Sequence, residues 1–113
     1  MEIYEEEVSP GLFKINLIGR MDIVGVGEIE VRFTGMCASP RSALIVDMSG
    51  VNYMSSLGIR ALLMNGKAVT RRGGKFVLLS PQPVVKNVLE VSGIDKILQI
   101  CDTLEDAMTK VKP

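Results

Sequence analysis

The chain has 113 residues, of which 47% are hydrophobic and 23% charged; thirteen basic side chains balance thirteen acidic ones and histidine is absent. This composition is globular and of one-domain size, read here as a single domain over 1–113, and it lacks the basic excess of a nucleic-acid binder. Without histidine there is no Ser-His-Asp or Cys-His nucleophile and no His-ligated metal site, so neither an enzyme nor a bound cofactor or metal is expected.

Residues 2–8 carry charge at alternate positions and predict an edge strand, with Glu5-Glu6-Glu7 as solubilising protection of that edge. Ser9-Pro10-Gly11 is a turn, because Pro fixes φ and Gly accepts a positive one. A second strand follows over 12–18, with Phe13, Ile15 and Leu17 on one face, and the short connection makes the pair an antiparallel hairpin. Gly19-Arg20-Met21-Asp22 is expected to end it. Residues 23–37 carry two conflicting periods. Ile29, Val31 and Phe33 alternate as in a strand, whereas Val26, Ile29, Phe33, Met36 and Cys37 share a helical face behind Asp22 as N-cap. The pattern favours a helix.

Ala43-Leu44-Ile45-Val46 is a continuous apolar run, the mark of a strand covered on both faces. Residues 47–54 read as a loop. The clearest helix spans 55–72, with Ile59, Leu62, Leu63, Gly66 and Val69 inward and Arg60, Met64, Lys67 and Arg71 outward; Gly73-Gly74 stops it. Gly66 in the inner stripe predicts a close helix–sheet approach. A second buried strand covers 76–79. Pro81 and Pro83 open a helix that turns Val85, Val88, Leu89 and Ser92 inward. A short strand at 97–100 follows, and Thr103 caps a last helix with Leu104, Ala107, Met108 and Val111 as its apolar stripe. Strand–helix alternation after the hairpin implies right-handed parallel crossovers, hence an α/β fold with one mixed sheet.

Cys37 and Cys101 are far apart and form no C-x-x-C; they read as reduced, buried small hydrophobes. The acidic N-terminus has no signal-peptide pattern, and no apolar run approaches the ~20 residues of a membrane span. A cytoplasmic protein without membrane insertion is expected.

Functional groups of such sheets gather beyond the carboxyl ends of the parallel strands. That edge carries the stretch from Asp47 to Gly58, which delivers Ser55 and Ser56 to the start of the best helix. If Ser55 is the N-cap, Ser56 is the first helical residue. Capping is the commonest role for serine there, and a hydroxyl offered to solvent is the alternative. Gly25-x-Gly27 has no third glycine and follows no buried strand, so it is a poor dinucleotide site. Asp47 lacks the acidic pair of a phospho-accepting receiver and more simply fixes its loop by hydrogen bonding.

From Leu44 to Arg60 the run LIVDMSGVNYMSSLGIR resembles the STAS domain, the family of bacterial anti-sigma factor antagonists. Gly19-Arg20-Met21-Asp22, the Gly73–Leu78 segment and the Val91–Ile97 segment resemble further family motifs in the same order. The resemblance implies the STAS fold: a mostly parallel mixed sheet, an N-terminal antiparallel hairpin and about four helices, with 23–37 helical. It implies a partner-switching regulator that binds an anti-sigma factor, itself a serine protein kinase, until phosphorylated on the serine two residues before the glycine, here Ser56. The family often has aspartate before that serine; here Ser55 stands there and becomes a second-choice acceptor. The implied contact set is Asp22, Asn52, Met54, Ser55, Ser56, Leu57, Gly58 and Arg60, and a side chain at Gly58 is expected to project toward the serine loop or the partner. The same-family alternative is an adaptor subunit of a stressosome or of a lipid-transport complex without phospho-regulation. A weak homodimer is compatible with either.

Overall fold

The computed structural model describes residues 1–39 and 43–111. Its order is β1 (Glu2–Ser9), β2 (Leu12–Met21), α1 (Ile23–Ala38), β3 (Ala43–Met54), α2 (Ser56–Arg71), β4 (Lys75–Leu79), α3 (Pro83–Val91), a 3-10 turn (Ile94–Lys96), β5 (Gln99–Cys101) and α4 (Leu104–Val111). The five strands lie in the order β1-β2-β3-β4-β5. β1 and β2 are antiparallel, and every later pairing is parallel. This is the expected mixed sheet with four helices.

The segment 23–37 is helical and starts at Asp22, which caps it: the Asp22 carboxylate accepts from Gly25 N–H at 2.8 Å. Val26, Ile29, Phe33 and Cys37 are buried on its inner face, whereas Val31, the residue that supported a strand, is 85% exposed. Together with α2 and α3, α1 covers one face of the sheet against Ile15, Leu17, Leu44, Val46, Phe76 and Leu78. On the other face α4 packs Ala107 and Val111 on Ala43, Ile45, Val77 and Leu79. The apolar run of β3 therefore divides alternately between two cores. Gly66 allows the close approach its position implied, since a Cβ there would meet Leu98 Cδ2 at 2.6 Å and the Phe76 ring at 3.0 Å. Cys37 and Cys101 are buried and form no disulfide among the described residues.

Four expectations are corrected. β2 does not end at Ile18 but runs through Met21, and 47–54 is not a loop but the second half of a 12-residue β3. The two extensions pair with each other, Ile18 with Gly50 and Met21 with Met54, beyond the point where β4 stops. Register shifts give β3 an extra residue between Asp47 and Gly50 and another between Val51 and Tyr53. The buried residues there, Met48, Val51 and Met54, consequently recur every three positions rather than every two, which hides the strand in the sequence. Ser92 does not face inward; it is the C-cap of α3, and its exposed hydroxyl donates to the Leu89 carbonyl at 3.0 Å. The last strand is Gln99–Cys101 rather than 97–100, and Ile97 is exposed beside the 3-10 turn.

α4 leaves part of its face of the sheet open, and polar side chains occupy it. Lys14 donates to Asp47 at 3.3 Å and pairs with Glu6 at 3.2 Å, and Asn16 also donates to Glu6 at 3.2 Å. Burial would push the Asp47 carboxyl up, but hydrogen bonds from Ser49 and the Lys14 ammonium outweigh it and hold the group below its ordinary value. A depressed carboxyl stabilises the fold above its unfolded value of about 4, and that stabilisation disappears as pH falls through the folded value. Asp47→Asn should therefore lower the unfolding midpoint at pH 7, with the deficit shrinking steadily below about pH 4. Urea titrations from neutral to acid pH read this directly, and a deficit independent of pH would contradict it.

Candidate functional site

The ends of β2 and β3 deliver two helix starts side by side. Met21 precedes Asp22, the cap of α1, and its carbonyl is also the acceptor for the cap of α2. Ser55 donates to it twice, from N–H at 3.0 Å and from Oγ–H at 2.6 Å. The same Oγ accepts from Gly58 N–H at 3.3 Å, so Ser55 closes the first turn of α2. Its hydroxyl is fully engaged. Ser56, the first residue of α2, is exposed, and its hydroxyl makes no hydrogen bond among the described residues. The two serines thus differ in environment despite their adjacency: one is built into the scaffold and the other faces solvent.

Arg20 and Asp22 stiffen the neighbouring surface. Arg20 Nε donates to Asp22 at 3.2 Å, and its guanidinium lies 4.2 Å from the centroid of the Tyr53 ring. The Gly25 hydrogen bond first, and the Arg20 partner second, hold the Asp22 carboxyl below its ordinary value. Asp22 is therefore a charged cap at neutral pH, and Tyr53 is held against it through Arg20.

Of the residues singled out in the sequence, Asn52, Ser56, Leu57 and Arg60 are exposed, and Asp22 and Ser55 are half-buried. Met54 is buried and Gly58 lies beneath the surface. The expected projection of a Gly58 side chain toward the serine loop or a partner is corrected: its Cβ would meet Met54 Sδ at 2.5 Å and Met21 Cβ at 2.9 Å. Glycine is needed there so that α2 can start against the end of β2. Three surface residues escaped the sequence reading. Ile23 and Val24, in the first turn of α1, are 73% and 67% exposed, and Tyr53 is 40% exposed. With Leu57 they give the shared helix starts an apolar rim. The available signal was that Ile23 and Val24 follow a cap yet lie off the inner stripe of their helix. A groove of about 490 Å³ continues from this rim between α1 and α2, lined by Val26, Glu30, Leu57, Arg60 and Met64 among others. No helix among the described residues is long and apolar enough to cross a membrane.

Ser55→Ala should cost ~1 kcal/mol, the usual loss for a deleted cap, while Ser56→Ala leaves stability within about 0.5 kcal/mol. Gly58→Val should cost about 1–3 kcal/mol by overpacking Met54 and Met21. Equilibrium denaturation of the three variants measures this order, and equal losses at the two serines would refute the division of roles.

The STAS domain model matches residues 4–107. The anti-sigma-F factor antagonist RsfB of Mycobacterium tuberculosis is 24% identical over 102 residues, covering 90% of this chain and 83% of that protein. The crystal structure of an anti-sigma factor antagonist from Mycobacterium paratuberculosis superposes with a TM-score of 0.89 at 24% identity, covering 99% of this chain and 94% of that one. The Bacillus protein SpoIIAA has the same fold in its unphosphorylated form (TM-score 0.77, 23% identity, 97% and 96% covered) and in its phosphorylated form (0.71, 22%, 98% and 100%). These relatives carry the names of regulators rather than enzymes. With the five-stranded mixed sheet, the N-terminal hairpin and a family match over nearly its whole length, the chain belongs to the STAS domain family.

Proposed function

We propose that this protein is a cytoplasmic, single-domain anti-sigma factor antagonist and that Ser56 is its phosphorylation switch. The observation that carries the reading is the contrast at the start of α2: the Ser55 hydroxyl is committed to Met21 and Gly58, while the Ser56 hydroxyl is exposed and unengaged. The family match and the regulators among its relatives support it, as does the existence of SpoIIAA in phosphorylated and unphosphorylated forms. In the unphosphorylated state the apolar rim of Ile23, Val24, Tyr53 and Leu57 binds the anti-sigma factor, with Asp22, Asn52, Ser55, Ser56 and Arg60 as polar contacts. Met54 and Gly58 act from below by shaping that surface.

The partner is a serine protein kinase. It transfers the γ-phosphoryl group of ATP to Ser56 Oγ: the new O–P bond forms as the β–γ bridging P–O bond breaks, ADP leaves and the hydroxyl proton passes to the kinase. The product carries nearly two extra negative charges in the middle of an apolar contact. Desolvating them costs several kcal/mol, and each ~1.4 kcal/mol is tenfold in affinity, so a loss of ~100-fold or more is expected. No rearrangement of the fold is required, because Ser56 takes no part in holding it together.

Ser56→Ala should fold, bind the anti-sigma factor and resist phosphorylation, and Ser56→Asp should bind more weakly than wild type. Ser55→Ala should still be phosphorylated. Mass spectrometry after incubation with the kinase and ATP, beside titration calorimetry, distinguishes these outcomes. Phosphate on Ser55 alone would overturn the assignment, and tight binding with neither serine modified would favour the adaptor role.

A further inference from the structure

We propose that Arg60 is the intramolecular counter-ion of the phosphate on Ser56, so that modification turns its guanidinium away from the partner-facing surface and onto the protein's own helix start. This rests on Ser56 being the modified residue. Ser56 and Arg60 are four apart on α2, both exposed. That spacing places two side chains on one face, with Cβ atoms about 5–6 Å apart. An arginine reaches across this gap easily, and its planar fork matches phosphate oxygens two at a time. Ser55 is five residues from Arg60 and on a different face, so the pairing is selective for position 56.

Arg60 is also uncommitted. It makes no ion pair among the described residues. The neighbouring charges are engaged or stand apart. Arg20 is held by Asp22 and stacked on Tyr53, and Glu28 of α1 is held by the N-terminal amine. Glu30 of α1 lines the groove with Arg60 yet forms no ion pair with it. A phosphate one turn away offers Arg60 twice the charge of a carboxylate, with no main-chain movement. The helix dipole favours a first-turn phosphate as well, but it acts whatever residue stands at 60. Phosphorylation would then act on the interface twice, by adding charge at Ser56 and by withdrawing the cation at Arg60.

The test is a 31P NMR titration of the full chain with phosphoserine installed at position 56 during translation, in otherwise wild-type protein and with Arg60→Gln or Arg60→Lys. Removing the guanidinium disfavours the dianion, so Arg60→Gln should raise the second phosphate pKa by about 0.2–0.4 unit. Arg60→Lys should recover part of the difference, and 1 M NaCl should shrink it. Superimposable titrations for all three proteins would overturn the proposal. Because the phosphate is installed without a kinase, that result bears on Arg60 alone, whereas failure of the kinase to modify Ser56 bears on the switch.

Discussion

The Met21 carbonyl is the hinge point of this architecture. It accepts two hydrogen bonds from Ser55, the cap of α2, and the next residue along the chain is Asp22, the cap of α1. One backbone group therefore fixes where α2 begins, one residue before the cap of α1. A buried carbonyl must be paired, and Ser55 satisfies it while also satisfying a free N–H of its own helix. The arrangement needs β2 and β3 to reach Met21 and Met54 together, which explains why both strands continue past the edge of β4. It also needs Gly58, because any side chain there would strike Met21 and Met54 and push the helix off its seat.

A similar tie operates at the far end of the same helix pair. Arg72, just beyond α2, donates to the Ser39 carbonyl at 2.9 Å and to the Cys37 carbonyl, capping the last turn of α1. Between these two ties, α1 and α2 rest on a common core that includes Phe33, Ile29, Leu62 and Val69. The surface they present is consequently rigid at both ends. That suits a protein proposed to switch by surface chemistry: the modified residue can change charge without disturbing what holds the helices in place.

Ser55 caps α2 in a way that a carboxylate would not. A cap here must accept from the Gly58 N–H, which a carboxylate could also do. The Ser55 hydroxyl also donates to the Met21 carbonyl, which an ionised carboxylate, an acceptor only, could not do. Ser55 thus adds a tie to β2 and brings no charge beside Ser56. The negative charge nearest the helix starts is then Asp22, held ionised by Gly25 and Arg20.

Much of the molecule was legible from residue order. The stripe of Leu62, Gly66 and Val69 identified α2, the run 43–46 identified a doubly covered strand, and the Ser55-Ser56 pair marked the start of α2. Local signals sufficed there because period, cap and stop residues agree with one another. Where they conflict, only tertiary contacts decide. The alternating Ile29, Val31 and Phe33 could serve either a strand or a helix, and packing on the sheet makes the helix. The polar stretch from Asp47 to Asn52 looked like a loop because two bulges shift its buried residues to every third position. Pairing with β2, a segment about thirty residues earlier, makes it a strand. The roles of the two serines follow the same logic. Their adjacency to a helix start was evident in the sequence, but which hydroxyl is consumed by the scaffold depends on the Met21 carbonyl, distant along the chain and brought 2.6 Å from Ser55 Oγ only by the completed sheet.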